Sequence, residues 1–474
     1  MRKYSIALAC LFSSVCFATS VAAATTATTP VAVKGFTYIK SLGGIDEYRL
    51  DSNGLSVLLM PDRSAPVVTF MVTYRVGSRN EVTGTTGATH LLEHLMFKGT
   101  PRFNRTKGND VTNYLERIGG NYNASTWLDR TNYYAEVASE NLEGYMAIEA
   151  DRMRNLSLRE DDRRPEMTVV RNEFEIGEND PLQALDKEIF AVAYQAHPYH
   201  HSTIGWRSDI EKVSIEKLRD FYNTFYWPDN ATATIVGDFD PEKALGLIKK
   251  YYGAYPKAPK PIPQVYTEEP AQTGPRRVTL QRAGELGTVG VSYKSPAGSH
   301  PDYPALQVLG IIMGSGKTSR FFRALTDKNL TTNVVSEPGF FHDPTLFQIY
   351  ASLAPGAKHE AVEKIILDEV ARVKADGVTE AEVATAAGKI RANTAYGRDG
   401  SFAIASNINE DIAAGDWTLF ITLDKSLAKV TAADVKRVAN TYLKENQSTT
   451  GWFVPVTAAA DTGAVTATAP VTAK

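Results

Sequence analysis

Residues 89 to 100 read THLLEHLMFKGT, and within them His90 and His94 stand four positions apart with Glu93 beside the second. At 3.6 residues per turn a helix carries positions i and i+4 on one face, with Cβ atoms about 5–6 Å apart, so both imidazoles can reach one metal ion. Glu93, three residues from His90, can touch a water on that ion without replacing either ligand. The order is the reverse of His-Glu-x-x-His. A lone histidine on an apolar helix is more often a core residue satisfied by hydrogen bonds. Here the flanks Leu91, Leu92, Leu95, Met96 and Phe97 predict a buried helix, and burying two imidazoles and a carboxylate without partners is costly unless a cation compensates them. The pattern therefore points to a metal that activates water, with a carboxylate as base.

Two histidines leave a tetrahedral zinc short of one protein ligand and one open position. The stretch RRPEMTVVRNEFEIGEND offers Glu166, Glu173, Glu175 and Glu178 on a predicted helix. Spacing alone does not separate a ligand from a solvated acidic face.

Thiolate ligands are excluded on other grounds. The chain has two cysteines, Cys10 and Cys16, and both lie in an opening MRKYSIALACLFSSVCFATSVAAA with two basic residues, a short apolar run and small residues at its end. That layout predicts a cleavable signal peptide over residues 1–24 and an exported, periplasmic location. The apolar run is too short to span a bilayer, and no later segment qualifies. The mature chain then has no disulfide, and a metal must be held by nitrogen and oxygen. A net charge of −3 over 474 residues gives no sign of a nucleic-acid partner.

The elements that must position the motif recur. An alternating strand pattern from Tyr48, with Asn53-Gly54 as a hairpin turn, precedes the motif helix, and a second such pattern from Val278 precedes the apolar YPALQVLGIIMG. A helix, polar turn and strand from Val213 is echoed from Val430, an offset of about 217 residues, and Tyr74 and Tyr293 match at nearly the same offset. These matches predict a duplicated α+β chain. Its parts are an N-terminal extension over 25–47, a metal-bearing lobe over 48–255, a proline-rich linker over 256–277, a second lobe over 278–455 and a disordered tail over 456–474. The second lobe has no histidine or acid where the first has its motif. GSGKTSR at 314–320 is read as a turn entering a helix at Thr318, because the first glycine of a phosphate loop would fall at Ile311.

His90-Leu91-Leu92-Glu93-His94 with FKGT, a Glu-x6-Glu pair some 80 residues on, HPYHHSTIGWRSDI and FYNTFYWPDNATATIVGDFD together resemble the pitrilysin and insulysin family of inverted-motif zinc peptidases. Length and the two halves resemble its shorter branch, which includes mitochondrial processing peptidase and bacterial relatives. The resemblance implies two homologous lobes, each a mainly antiparallel sheet covered by helices, forming half of a clamshell that encloses peptide substrates. It implies one zinc per chain held by His90, His94 and Glu173, with Glu93 as catalytic base and Glu166 as a supporting acid of the catalytic set. GGNYNASTWLDRTNYYAEV resembles the edge strand that pairs with substrate, placing Asn123, Ala124 and Ser125 beside the scissile bond. Self-sufficient members carry an arginine and, seven residues on, a tyrosine in the second lobe. Here Thr326 stands at the first position and Thr332 or Asn333 at the second. The resemblance thus implies a zinc endopeptidase that is the catalytic subunit of a heterodimer, its homologous partner supplying the missing pair. The alternative is a non-catalytic peptide-binding or scaffold subunit with a structural zinc.

Overall fold

A computed structural model describes residues 31–456; the expected signal peptide and nearly all of the expected disordered tail lie outside the described residues. The first sheet is built from β1 (Phe36–Leu42), β2 (Ile45–Leu50), β3 (Ser56–Pro61), β4 (Val67–Tyr74), β5 (Asn121–Thr126), β6 (Thr131–Ala138) and β7 (Ala231–Gly237), in the order β1-β2-β3-β7-β4-β6-β5. Gly54, at φ 81°, closes the β2–β3 turn, where the Gly54 N–H donates to the Leu50 carbonyl at 2.7 Å. The segment set apart as an extension over 25–47 is thus partly integral to this sheet, since β1 and the start of β2 fall within it. The edge strand β1, FTYIKSL, is mostly exposed and shows no clean apolar–polar alternation, which hides a strand signal in a short window.

The second sheet holds β8 (Arg276–Ala283), β9 (Thr288–Ser295), β10 (Thr331–Pro338), β11 (Thr345–Leu353) and β12 (Ser448–Val456), in the order β10-β11-β9-β12-β8. Reversed, this order is β8-β12-β9-β11-β10, which repeats β3-β7-β4-β6-β5 strand for strand. Each sheet even has one parallel pair at the equivalent place, β3 with β7 and β8 with β12, while its other pairs are antiparallel. The lobes are joined by 256–275, which contain no helix or strand. This linker is nonetheless pinned, because the Glu269 carboxylate accepts the backbone N–H groups of Gln195, Ala196 and His197.

Each sheet is covered on both faces, and the second cover comes from the other lobe. On β4, Val68, Phe70, Val72 and Tyr74 face the first lobe's own helices, whereas Met71 packs with Ile404, Ile408 and Ile412 of the helix Ser401–Ala413. The β4 hydroxyls on that second face are satisfied by the same helix, Thr69 with Ser401 at 2.9 Å and Thr73 with Asn409 at 2.7 Å. Reciprocally, Leu185 and Ile189 of the helix Pro181–Ala193 pack on the second sheet with Leu346, Tyr350 and Phe453. The approach is close enough that a Cβ on Gly290 of β9 would lie 2.5 Å from Ile189. No described helix is long and apolar enough to cross a membrane.

Candidate active site

The motif lies on the helix Ala88–Leu95. Its entry is fixed by Gly87 at φ 83°, where a side chain would be strained and would also run into the Ile204 carbonyl 2.4 Å from the Cβ position. Buried Glu81 holds the first turn, accepting the N–H groups of Gly87 at 2.8 Å and Thr89 at 2.7 Å, a favourable place for a carboxylate at a helix start. Leu91, Leu92 and Leu95 anchor the helix in the core. His90, Glu93 and His94 are left facing a cavity of about 560 Å³.

The helix Glu160–Asn179 lies opposite. Glu166 and Glu173 are seven residues apart, two helical turns, and so share a face. Glu173 Oε2 sits 3.6 Å from the Nε2 of both His90 and His94. Two donors about 2.0–2.1 Å from one tetrahedral centre are separated by about 3.4 Å, so the separation of Glu173 from each imidazole is that of paired zinc ligands, and the set offers two nitrogens and one oxygen. Among the described residues they are the only group of three or more metal-ligating side chains whose donor atoms lie this near one another, all within 4.8 Å. Glu175, the neighbouring candidate, instead pairs with Arg207 at 2.9 Å. Glu178 pairs with Lys187 and Arg282.

Glu166 stands behind the imidazole of His94, its Oε1 3.0 Å from Nδ1, and its other oxygen pairs with Lys98. It therefore acts as a positioning residue: donation from Nδ1 to Glu166 leaves the lone pair of His94 on Nε2, facing Glu173. Burial works against ionising Glu166, but the bonds from His94 and Lys98 outweigh it and hold its carboxyl below the usual range. For His94, burial is likewise outweighed by Glu166 and the charges of Glu173 and Glu93, which raise its pKa. His90 has no carboxylate behind it, and burial followed by the nearness of His94 pushes it down to about 3, leaving a neutral imidazole suited to a metal.

Glu93 is 8% exposed and accepts a hydrogen bond from Thr126 Oγ1 at 2.7 Å. Burial raises its pKa against the opposing Thr126 bond, the direction expected of a base that must take and release a proton near neutrality. Thr126 ends β5, the outer strand of the first sheet, and Asn123, Ala124 and Ser125 line the same cavity. Ser125 is engaged inward. Its hydroxyl donates to Asn132, and its carbonyl accepts from Arg130, whose Nε donates to Glu410 of the second lobe at 3.0 Å. Glu81, Lys98, Thr126 and Arg130 were given no role by the sequence reading, although Lys98 lies within FKGT and Thr126 and Arg130 lie within GGNYNASTWLDRTNYYAEV. Thr326 and Thr332 or Asn333 line a second cavity, of about 490 Å³, at the equivalent place in the second lobe.

Residues 56–206 match the family described as Insulinase (Peptidase family M16), and residues 212–389 match the one described as Peptidase M16 inactive domain. The zinc protease PqqE of Helicobacter pylori is 33% identical over 408 residues, covering 85% of this chain and 91% of that protein. The crystal structure of a protease from Helicobacter pylori superposes with a TM-score of 0.82 at 31% identity, over 87% of this chain and 99% of that one. A probable mitochondrial-processing peptidase subunit beta of Arabidopsis thaliana is 27% identical over 405 residues, 82% of this chain and 75% of that protein.

Proposed function

Because this chain belongs to peptidase family M16, we propose that it is a zinc-dependent endopeptidase that cleaves extended peptides laid along β5, and that it works as the catalytic subunit of an exported heterodimer. The observation that carries this reading is the convergence of His90, His94 and Glu173 with Glu93 beside them but not among them. A site meant only to hold structure has no use for a buried carboxylate kept free of the ligand set. The metal, when bound, supplies Lewis acidity to the scissile carbonyl and makes an adjacent water acidic near neutral pH.

The chain's own residues do the rest. Glu93 accepts the proton of the attacking water on its carboxylate and returns it to the leaving amine, and Thr126 keeps that carboxylate in place. Glu166 and Lys98 hold the His94 ring. The outer edge of β5 receives the substrate backbone, which favours extended segments with loose sequence preference. Developing charge on the carbonyl oxygen calls for a further donor, and the homologous subunit with the arginine and tyrosine is its source in this proposal.

A second reading, a non-catalytic peptide-binding subunit, is favoured by Thr326 and Thr332 or Asn333 at the positions of that pair. One experiment separates the readings. A short unstructured peptide is offered to the chain alone, to the chain co-expressed with a homologue carrying the pair, and to the same pair bearing Glu93→Gln. Turnover only by the unmodified pair supports the proposal. Full turnover by the lone monomer removes the partner from it. Zinc binding without cleavage in any combination leaves the second reading.

A further inference from the structure

The second lobe holds a further cavity, separate from the one lined by His90, Glu93 and His94. It measures about 290 Å³ and opens between the helices Tyr303–Gly314, Glu380–Tyr396, Ser401–Ala413 and Leu419–Leu427. Its polar wall carries three carboxylates, Glu410, Asp411 and Asp424, against one guanidinium, Arg398. Two of the carboxylates are answered: Glu410 by Arg130, and Asp424 by Arg398 at 3.0 Å. Asp411 is not. It is 6% exposed, lines the cavity, and its carboxylate makes no hydrogen bond or ion pair with any described residue.

Most of what surrounds Asp411 disfavours its charge. It lies in the last turn of Ser401–Ala413, where the helix dipole is negative. Burial raises its pKa well above the ordinary range, and the charges of Glu410, Asp416 and Asp424 add to the effect against opposition from Arg398. Arg398, the nearby cation of the chain, is also held elsewhere, by the Phe420 carbonyl. An unpaired buried carboxylate costs several kcal/mol unless a cation meets it or it stays protonated.

We propose that this cavity is a binding site for an organic cation, an alkylammonium or alkylguanidinium group, with Asp411 as its counter-ion. The shape of the wall sets the class. Leu419 and Leu423 face the same space and suit an apolar stem rather than the water shell of a metal ion, and the carboxylates are absent from the metal-competent groups of the described residues. The volume is near the lower end for small-ligand sites, enough for one basic side chain or a short amine. The site needs neither zinc nor hydrolysis.

The test uses the full chain and protonated n-butylamine as probe, with n-butanol as its neutral match, followed by saturation-transfer NMR and calorimetry. The amine is expected to bind saturably and the alcohol not to bind. Asp411→Asn should weaken the amine at least tenfold, and Leu423→Trp, which fills the cavity and leaves every carboxylate in place, should do the same. Comparing cadaverine with Nα-acetyl-lysine amide then assigns the source, a free amine or a peptide side chain, according to which binds more tightly. No saturable binding to the unmodified chain overturns the proposal. So does binding that survives either folded variant, or displacement of the amine by n-butanol at equal concentration. If Asp411→Asn fails to fold, the Leu423→Trp result decides.

Discussion

The helices Ala88–Leu95 and Tyr303–Gly314 stand at the same place in two copies of one topology, each following the middle strand of the shared five-strand order, β4 or β9. The first turns His90, Glu93 and His94 toward a cavity and is apolar on its other side. The second, YPALQVLGIIMG, has no charged side chain, and Leu306, Val308, Leu309 and Met313 are all fully buried. The fold itself therefore does not require the polar residues. They bring desolvation costs that the second lobe avoids, costs of the kind that a cation held by them would offset.

The sharpest way to break this contrast is at the polar face. Glu93→Gln should lower peptide turnover by about 10²–10⁴-fold while zinc content, measured by atomic absorption, stays at the parent level. Glu173→Gln should lose zinc and Glu175→Gln should keep it; the reverse pattern would overturn the ligand assignment. At the apolar faces the lobes should behave alike. Leu92→Ala and Leu309→Ala each remove a fully buried side chain and should each cost about 2–5 kcal/mol in denaturant unfolding. Only the first should also weaken zinc binding.

A smaller effect is expected one layer out. Glu166→Gln removes the carboxylate behind His94 and should weaken zinc affinity or activity by about 10–100-fold, read by chelator competition. The smallest concerns the second lobe alone. Glu382 is gripped by both Nε and Nη2 of Arg320, at 2.9 and 3.0 Å, and the Arg320 bonds hold its carboxyl at about 2, below the ordinary 4.5. A depressed folded pKa gives stability that is complete above pH 4.5 and is lost as pH falls toward 2. Because the pair is still partly exposed to solvent, Arg320→Met should remove less than about 1 kcal/mol of that acid-range dependence, seen as a flatter stability profile below pH 4.5.

What could be read from the chain was what depends on local periodicity. The His90–His94 spacing, the turn at Gly54 and the apolar helix from Tyr303 follow from patterns within windows of a dozen residues, and the duplication from matching such local patterns about 217 residues apart. The choice between Glu173 and Glu175 did not, because it depends on how the helix Glu160–Asn179 is rotated against its neighbour. The roofing helices were hidden for a different reason. Thr69 and Thr73 alternate with Val68, Phe70 and Val72 as in a strand with one wet face, and the helix that buries that face lies more than 300 residues further along the chain.

That exchange of roofs constrains how the molecule can come into being. As the chain emerges in order, the first sheet can form soon after β7 is made, yet its second face, with Leu58, Met71 and Val236, stays open until residues 401–420 appear to cover it. The first lobe is therefore an unfinished, sticky intermediate for much of synthesis, and ribosome-bound chains halted in the proline-rich linker should recruit holdase chaperones that the completed protein ignores.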